Sequence, residues 1–65
     1  MKIDIVKLSL WMDEAGFNDS ELARECEVST TCIRLIRVGE SEGTLKLIGL
    51  IADVLDVPTT YITKD

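Results

Sequence analysis

The stretch LARECEVSTTCIRLIRVGE, residues 22–40, decides the fold because two short helical patterns follow each other within it. Its apolar and small residues recur at helical spacing on both sides of a break: Leu22, Ala23, Cys26, Ile33 and Ile36. Val28 and Ser29 interrupt the pattern, and the hydroxyl of Ser29 can cap a new helix. Gly39 follows the second run, where helices often need a left-handed residue. The stretch therefore predicts two packed helices joined by a tight turn.

The rest of the chain shows the same helical periodicity, and no alternating run indicates a strand. The predicted helices cover residues 3–15, 19–25, 30–38 and 45–55, with one further turn at 60–63. Asn18 and Glu21 form the N-x-x-E pattern of a capping box at the start of the second helix. Thr44 can cap the fourth helix, and Pro58 disfavours helical geometry just after it. The sequence therefore predicts an all-α fold, a compact bundle of four to five short helices in a single domain over residues 1–65.

Composition restricts the class of protein further. Of the 65 residues, 46% are hydrophobic, which allows a small aliphatic core that a partner subunit would help to complete. The chain has no histidine, and Cys26 and Cys32 lack the close spacing of a metal or redox pair, so we expect free thiols and no metal or cofactor. We expect no enzyme, because no catalytic constellation is evident. The charged N-terminal segment and the short apolar run at 45–57 predict a cytoplasmic protein with no membrane span.

Two segments carry a spacing of apolar residues that resembles the Cro/C1-type (lambda-repressor-like) helix-turn-helix family. They are NDSELARECEVSTTCIRLIRVGE at residues 18–40 and TLKLIGLIADVLDVPTTYI at residues 44–62. The resemblance runs without a gap from about Leu8 to Ile62. It implies a helix-turn-helix at about residues 19–38, with the second helix of that unit lying in the major groove of double-stranded DNA.

The resemblance also implies which side chains contact DNA. Most lie along the third helix, and one lies at the start of the second: Thr30, Thr31, Arg34, Leu35, Arg37 and Asn18. A threonine can bond a base edge or pack its methyl group on thymine, and an arginine is the best reader of guanine. Arg34 and Arg37 would then make a basic recognition helix. The alternative is that both are solvated and pair with acidic neighbours such as Glu40 or Asp13.

Several acidic residues depart from the family pattern and weaken the expectation of tight DNA binding. Asp19 stands where the family often has a glutamine that donates to a phosphate, and an acid there would repel the phosphate. Glu40 and Glu42 stand in a loop that is typically basic. The net charge of the whole chain is −5. Local potential matters more than this sum, so binding is not excluded, but a single domain should bind weakly and with strong salt dependence.

Two further departures concern the scaffold of the helix-turn-helix. Glu27 replaces the glycine of the central turn, which costs about 1 kcal/mol if a left-handed conformation is required there. The family commonly pairs an arginine on the first helix with a glutamate late in the third, and this chain has Met12 and Arg37 at those places. Because both members of the pair differ, we expect Arg37 to be freed from a purely structural role.

The apolar residues of the fourth helix predict a second buried surface. Its expected core face consists of Leu45, Ile48, Ile51, Ala52 and Leu55. A second stripe runs along Leu47, Leu50 and Val54, and the first helix repeats the pattern with Ile3, Val6 and Leu10. A helix that is apolar nearly all round is buried on more than one side. We expect a symmetric homodimer that sets two recognition helices on successive grooves of a palindromic operator, unless Tyr61 and Ile62 fold back over the second stripe.

Two functional hypotheses follow from these patterns. The first is a small, sequence-specific, dimeric transcriptional regulator, repressor-like and of bacterial or phage type, which the threonines and arginines of the third helix favour. The second is an acidic module of the same fold that binds a protein partner, such as an antirepressor that pairs with another regulator. Asp19 and the loop from Glu40 to Glu42 favour this second hypothesis.

Overall fold

The structure, a computed structural model, describes residues 2–64 and confirms the all-α class. In chain order the elements are β1 (Lys2–Ile3), α1 (Ile5–Ala15), α2 (Asp19–Cys26), α3 (Thr30–Arg37), α4 (Leu45–Leu55), a 3-10 turn (Thr59–Tyr61) and β2 (Thr63–Lys64). The four helices lie within two residues of their predicted bounds. No helix among these residues is long and apolar enough to cross a membrane.

Side-chain caps explain why each helix begins where it does. Asn18 and Glu21 make both bonds of the predicted capping box, at 2.8 and 3.1 Å. Ser29 accepts from the amide of Cys32, and Thr44 accepts from the amide of Leu47. These bonds satisfy amide groups that have no partner inside the helix. The capping residues predicted for α2, α3 and α4 are therefore confirmed.

The first predicted helix begins two residues too early, because Asp4 caps α1. Its carboxylate accepts from the amides of Val6 and Lys7, at 3.0 and 3.1 Å. The residues before it form β1, which pairs with β2 in an antiparallel ladder that sets Ile3 opposite Thr63. The sequence predicted no strand, and this prediction is wrong because the structure contains two strands of two residues each.

The C-terminal residues fold back onto the beginning of the chain, where Tyr61 and Ile62 contact Trp11 and Asp4. Ile62 is fully buried, and its carbonyl accepts from the amide of Asp4 at 2.8 Å. The ring of Tyr61 packs on that of Trp11 with 5.5 Å between centroids. These contacts use the side of α1 that carries Trp11, and they leave Val6 and Leu10 exposed.

The core is formed by one aliphatic cluster to which every helix contributes. Its fully buried members include Leu8, Met12, Leu22, Ile33, Ile36, Ile48, Ile51 and Ile62. Two predictions for α4 are wrong: Leu45, expected in the core, is 68% exposed, and Leu47, expected on the outer stripe, is 8% exposed. Residues two apart on a helix point to nearly opposite sides, so only one of the pair can face the core. The interior position belongs to Leu47.

Glu27 adopts the left-handed conformation that the turn requires, with φ of 60° and ψ of 40°. We expect Glu27→Gly to raise the free energy of unfolding by about 0.5–1 kcal/mol, because glycine carries no steric penalty at positive φ. Urea denaturation followed by circular dichroism measures the change. The matched control is Glu25→Gly within α2, which should destabilise the protein by a similar amount. Destabilisation by both substitutions would contradict the prediction.

Candidate nucleic-acid interface

The helices α2 and α3 are held as one unit by the turn at residues 27–29. Leu22 and Ala23 of α2 and Ile33 of α3 are buried in the core that the two helices share. The amide of Val28 donates to the carbonyl of Ala23 at 2.9 Å and closes the end of α2. Ser29, the next residue, is the N-cap of α3. The direction of α3 is therefore fixed by contacts on both sides of the turn.

The outer face of α3 carries three of the predicted contact residues. Thr31, Arg34 and Leu35 are exposed, whereas Thr30 is half-buried. Ile33 and Ile36 point the opposite way, into the core. Because these positions follow the helical repeat, the exposed side chains share one face of the helix.

Val38 extends this outer face, although it was not among the predicted contact residues. It caps the C-terminal end of α3 and is 62% exposed. It follows Arg34 by four residues and Thr31 by seven, which is the spacing of one helical stripe. That spacing was visible in the sequence and could have identified it.

Arg37 is not free of a structural role, so that prediction is wrong. Its Nη1 donates to Oδ1 of Asp19 at 2.5 Å and lies 3.5 Å from Sδ of Met12. Both members of the ion pair are half-buried. The guanidinium thus joins the end of α3 to the start of α2, at the edge of α1. Its partner is Asp19, and not the Glu40 or Asp13 that were considered as neighbours.

We expect the Asp19–Arg37 pair to contribute up to about 1 kcal/mol to stability, because it is only partly shielded from water. A double-mutant cycle with Arg37→Met and Asp19→Asn, followed by urea denaturation, isolates the coupling energy. The exposed pair of Lys2 and Glu42, with 3.4 Å between its charged atoms, is the control and should show almost no coupling energy. Equal coupling energies in the two cycles would refute a special role for the half-buried pair.

Asn18 is exposed at the start of α2, and its side chain has a structural task there. Its Oδ1 accepts from the amide of Glu21 at 2.8 Å, while its backbone amide donates to the carboxylate of Glu21. The side-chain NH₂ group takes no part in these two bonds. Asn18 can therefore cap the helix and still donate to an acceptor outside the protein.

The acidic residues near this face are not equivalent. Asp19 is half-buried, and Arg37 offsets its charge. Glu40 and Glu42 are exposed in the loop after α3, and the contact of Glu42 with Lys2 is too solvated to screen it strongly. The negative potential that opposes an anion therefore comes from the loop at 40–42 more than from the start of α2.

A groove of about 560 Å³ lies beside the turn, between α2 and α4. Cys26, Cys32 and Leu50 line it together with the acidic residues at 25 and 27. Both cysteines are free thiols. Burial raises the pKa of the Cys26 thiol, and the nearby charge of Glu25 adds to the increase. Residues 2–64 contain no group of three or more His, Cys, Asp or Glu side chains that could hold a metal ion.

Together, these elements define a small all-α domain in which α2, the turn and α3 form a helix-turn-helix with a partly apolar outer face. No family model matches the chain, and no curated protein matches it significantly. Among solved structures, it is similar to the crystal structure of the hypothetical transcription factor NHTF from Neisseria. The TM-score is 0.79 over 97% of this chain and 82% of that chain, at 19% sequence identity. This likeness shows the fold.

Proposed function

We propose that the protein is a small, sequence-specific DNA-binding transcriptional regulator of the Cro/C1 type, which acts in the cytoplasm. The observation that carries this proposal is the outer face of α3, where Thr31, Arg34 and Leu35 are exposed together. In a helix-turn-helix this face enters the major groove, and its side chains are of types that read base edges. The fold shared with a hypothetical transcription factor supports the same function.

The net charge of −5 does not oppose this proposal as strongly as the sequence alone indicates. The Asp19 carboxylate, at the start of α2, is paired with Arg37 and so repels a phosphate less. The remaining acidic loop at 40–42 limits the number of phosphate contacts. A strong binder makes roughly 6–10 such contacts, so we expect weak binding by one domain and a need for two.

A homodimer is the simplest way to supply the second domain. Leu47 is buried within its own chain, and so the predicted outer stripe of α4 retains only Leu50 and Val54 as accessible members. Leu50 is 36% exposed, and Val54 is half-buried beside it. We keep these two residues as the proposed interface, and Leu47 supports them from inside the core.

We expect Leu50→Glu to convert the dimer into a monomer, because a carboxylate cannot be buried in an apolar interface without a partner. Affinity for DNA should then fall much more than one lost contact explains, since both half-sites are no longer held together. Sedimentation velocity and fluorescence anisotropy on the same samples measure the two effects. The matched control is Leu45→Glu, on another side of α4, which should change neither. A variant at position 50 that sediments like the wild-type protein would place the interface elsewhere.

The direct test of DNA binding is a fluorescence-anisotropy titration against random duplex DNA at low and moderate salt. We expect binding that weakens steeply as salt rises, because released counterions drive the association. No binding by the folded protein at low salt would refute the proposed function. It would favour the second hypothesis, a protein-interaction module whose exposed Glu40 and Glu42 contact a basic partner such as another regulator.

A further inference from the structure

We infer that the DNA sequence read by this protein places thymines on both sides of a guanine, with the thymine methyl groups packed against Thr31, Leu35 and Val38 around Arg34. The inference rests on the proposed function and names the class of site that α3 can read. Its basis is the chemistry of one helix face.

The outer face of α3 presents one charged group among aliphatic ones. Leu35 is 38% exposed and Val38 is 62% exposed, although neither is needed to fill the core. Thr31 adds a third methyl group beside its hydroxyl. In the major groove the 5-methyl of thymine is the apolar feature of the base edges, and guanine is the base that arginine reads with two hydrogen bonds. The face thus matches these two bases.

Apart from the hydroxyl of Thr31, which does not discriminate strongly between base edges, the same face lacks the groups that would read other bases. Its exposed positions at 31, 34, 35 and 38 include no asparagine or glutamine for adenine, and no carboxylate for cytosine. The face also differs from a protein-binding surface, because stable interfaces bury about 800 Å² on each partner. Two partly exposed aliphatic side chains and a threonine on one short helix are well below that area.

The spacing along α3 determines how close the bases lie. Four residues separate Thr31 from Leu35, which is a rise of about 6 Å along the helix. Base pairs follow each other at about 3.4 Å, so the two side chains span roughly two steps when the helix lies along the groove. Along the axis of α3, Arg34 lies between Thr31 and Leu35. The guanine should therefore stand within one or two base pairs of each thymine.

The test replaces the thymines of a binding site one at a time by deoxyuridine, which pairs in the same way and lacks only the 5-methyl group. The site is first selected from a random duplex library at low salt with the full chain. We expect a guanine flanked by thymines, and a loss of about fourfold in affinity for each methyl group that the protein contacts, as for one buried methylene. Fluorescence anisotropy with the matched duplexes measures the loss.

The variant Leu35→Ala identifies the contact. At one position of the site, replacing thymine by deoxyuridine should no longer weaken binding of this variant. At the other positions the same replacement should still weaken it. The control Leu45→Ala changes an equally aliphatic residue that lies on α4 and should keep the full sensitivity at every position. Circular dichroism establishes that both variants are folded.

The outcomes separate the inference from the proposed function. If no duplex is bound at low salt, the proposed function fails, and the inference fails with it. If a site is selected and bound but no deoxyuridine substitution weakens binding, the protein binds DNA and the inference is overturned. If Leu35→Ala keeps the sensitivity of the wild-type protein at every position, Leu35 reads no methyl group, and the inferred contact of Leu35 with thymine is overturned.

Discussion

Replacing Arg34 by alanine should remove sequence-specific DNA binding while the protein stays folded. Arg34 is exposed on the outer face of α3, so its loss leaves no cavity and no buried group without a partner. A bidentate arginine–guanine contact contributes about 1–3 kcal/mol of discrimination, which corresponds to a loss of roughly 5- to 150-fold on the preferred site. Two half-sites in a dimer would double this free energy. Anisotropy titrations with the selected and a scrambled duplex measure it.

Two controls separate reading a base from carrying a charge. Arg34→Lys keeps the charge but lacks the planar fork of donors, so it should retain binding to scrambled DNA and lose the preference for the selected site. Arg24→Ala removes the same charge from an exposed position of α2. It should weaken binding to both duplexes alike and lower the salt slope by no more than about one unit. Equal losses for Arg34→Ala and Arg24→Ala on both duplexes would mean that Arg34 acts only as a charge.

Local features of the sequence were sufficient to predict the helices. The caps at Asn18, Ser29 and Thr44 form hydrogen bonds with amides only three residues away, so their patterns can be recognised in a short window. The left-handed conformation of Glu27 was considered only because the family has a glycine at this turn, and the structure shows that Glu27 adopts it. The resemblance to the helix-turn-helix family implied Thr31, Arg34 and Leu35 as contact residues, and the structure exposes all three on the outer face of α3.

Contacts between distant residues were harder to predict. Asp19 and Arg37 are 18 positions apart, and their pairing depends on how α2 and α3 cross. The family commonly pairs α1 with α3, and because both members of that pair differ here we expected Arg37 to be freed, whereas it links α3 to α2. The strands β1 and β2 join the two ends of the described chain, and segments of two residues leave no alternating pattern to detect. Such features need the assembled fold.

Which side of α4 faces the core was also hard to predict from the sequence, and it gives the second large prediction. Leu45 and Leu47 are both leucines two positions apart, and a stripe from either one continues along apolar residues. The sequence assigned Leu45 to the core, whereas the structure buries Leu47, whose side chain lies near Gly43. The choice was ambiguous because α4 is apolar nearly all round, so its composition does not indicate which stripe faces inward.

We expect Leu47→Ala to lower the free energy of unfolding by about 2–5 kcal/mol, because it removes a buried side chain and leaves a cavity. A domain of this size has little stability in reserve, so the variant should be largely unfolded or unfold at low urea. Leu45→Ala is the matched control, with the same chemical change at a side chain that is 68% exposed, and should cost less than about 0.5 kcal/mol. Urea denaturation of both variants above the concentration at which the protein dimerises measures the difference. A larger loss for Leu45→Ala would show that α4 is rotated about its axis, and the proposed interface at Leu50 would then have to be assigned again.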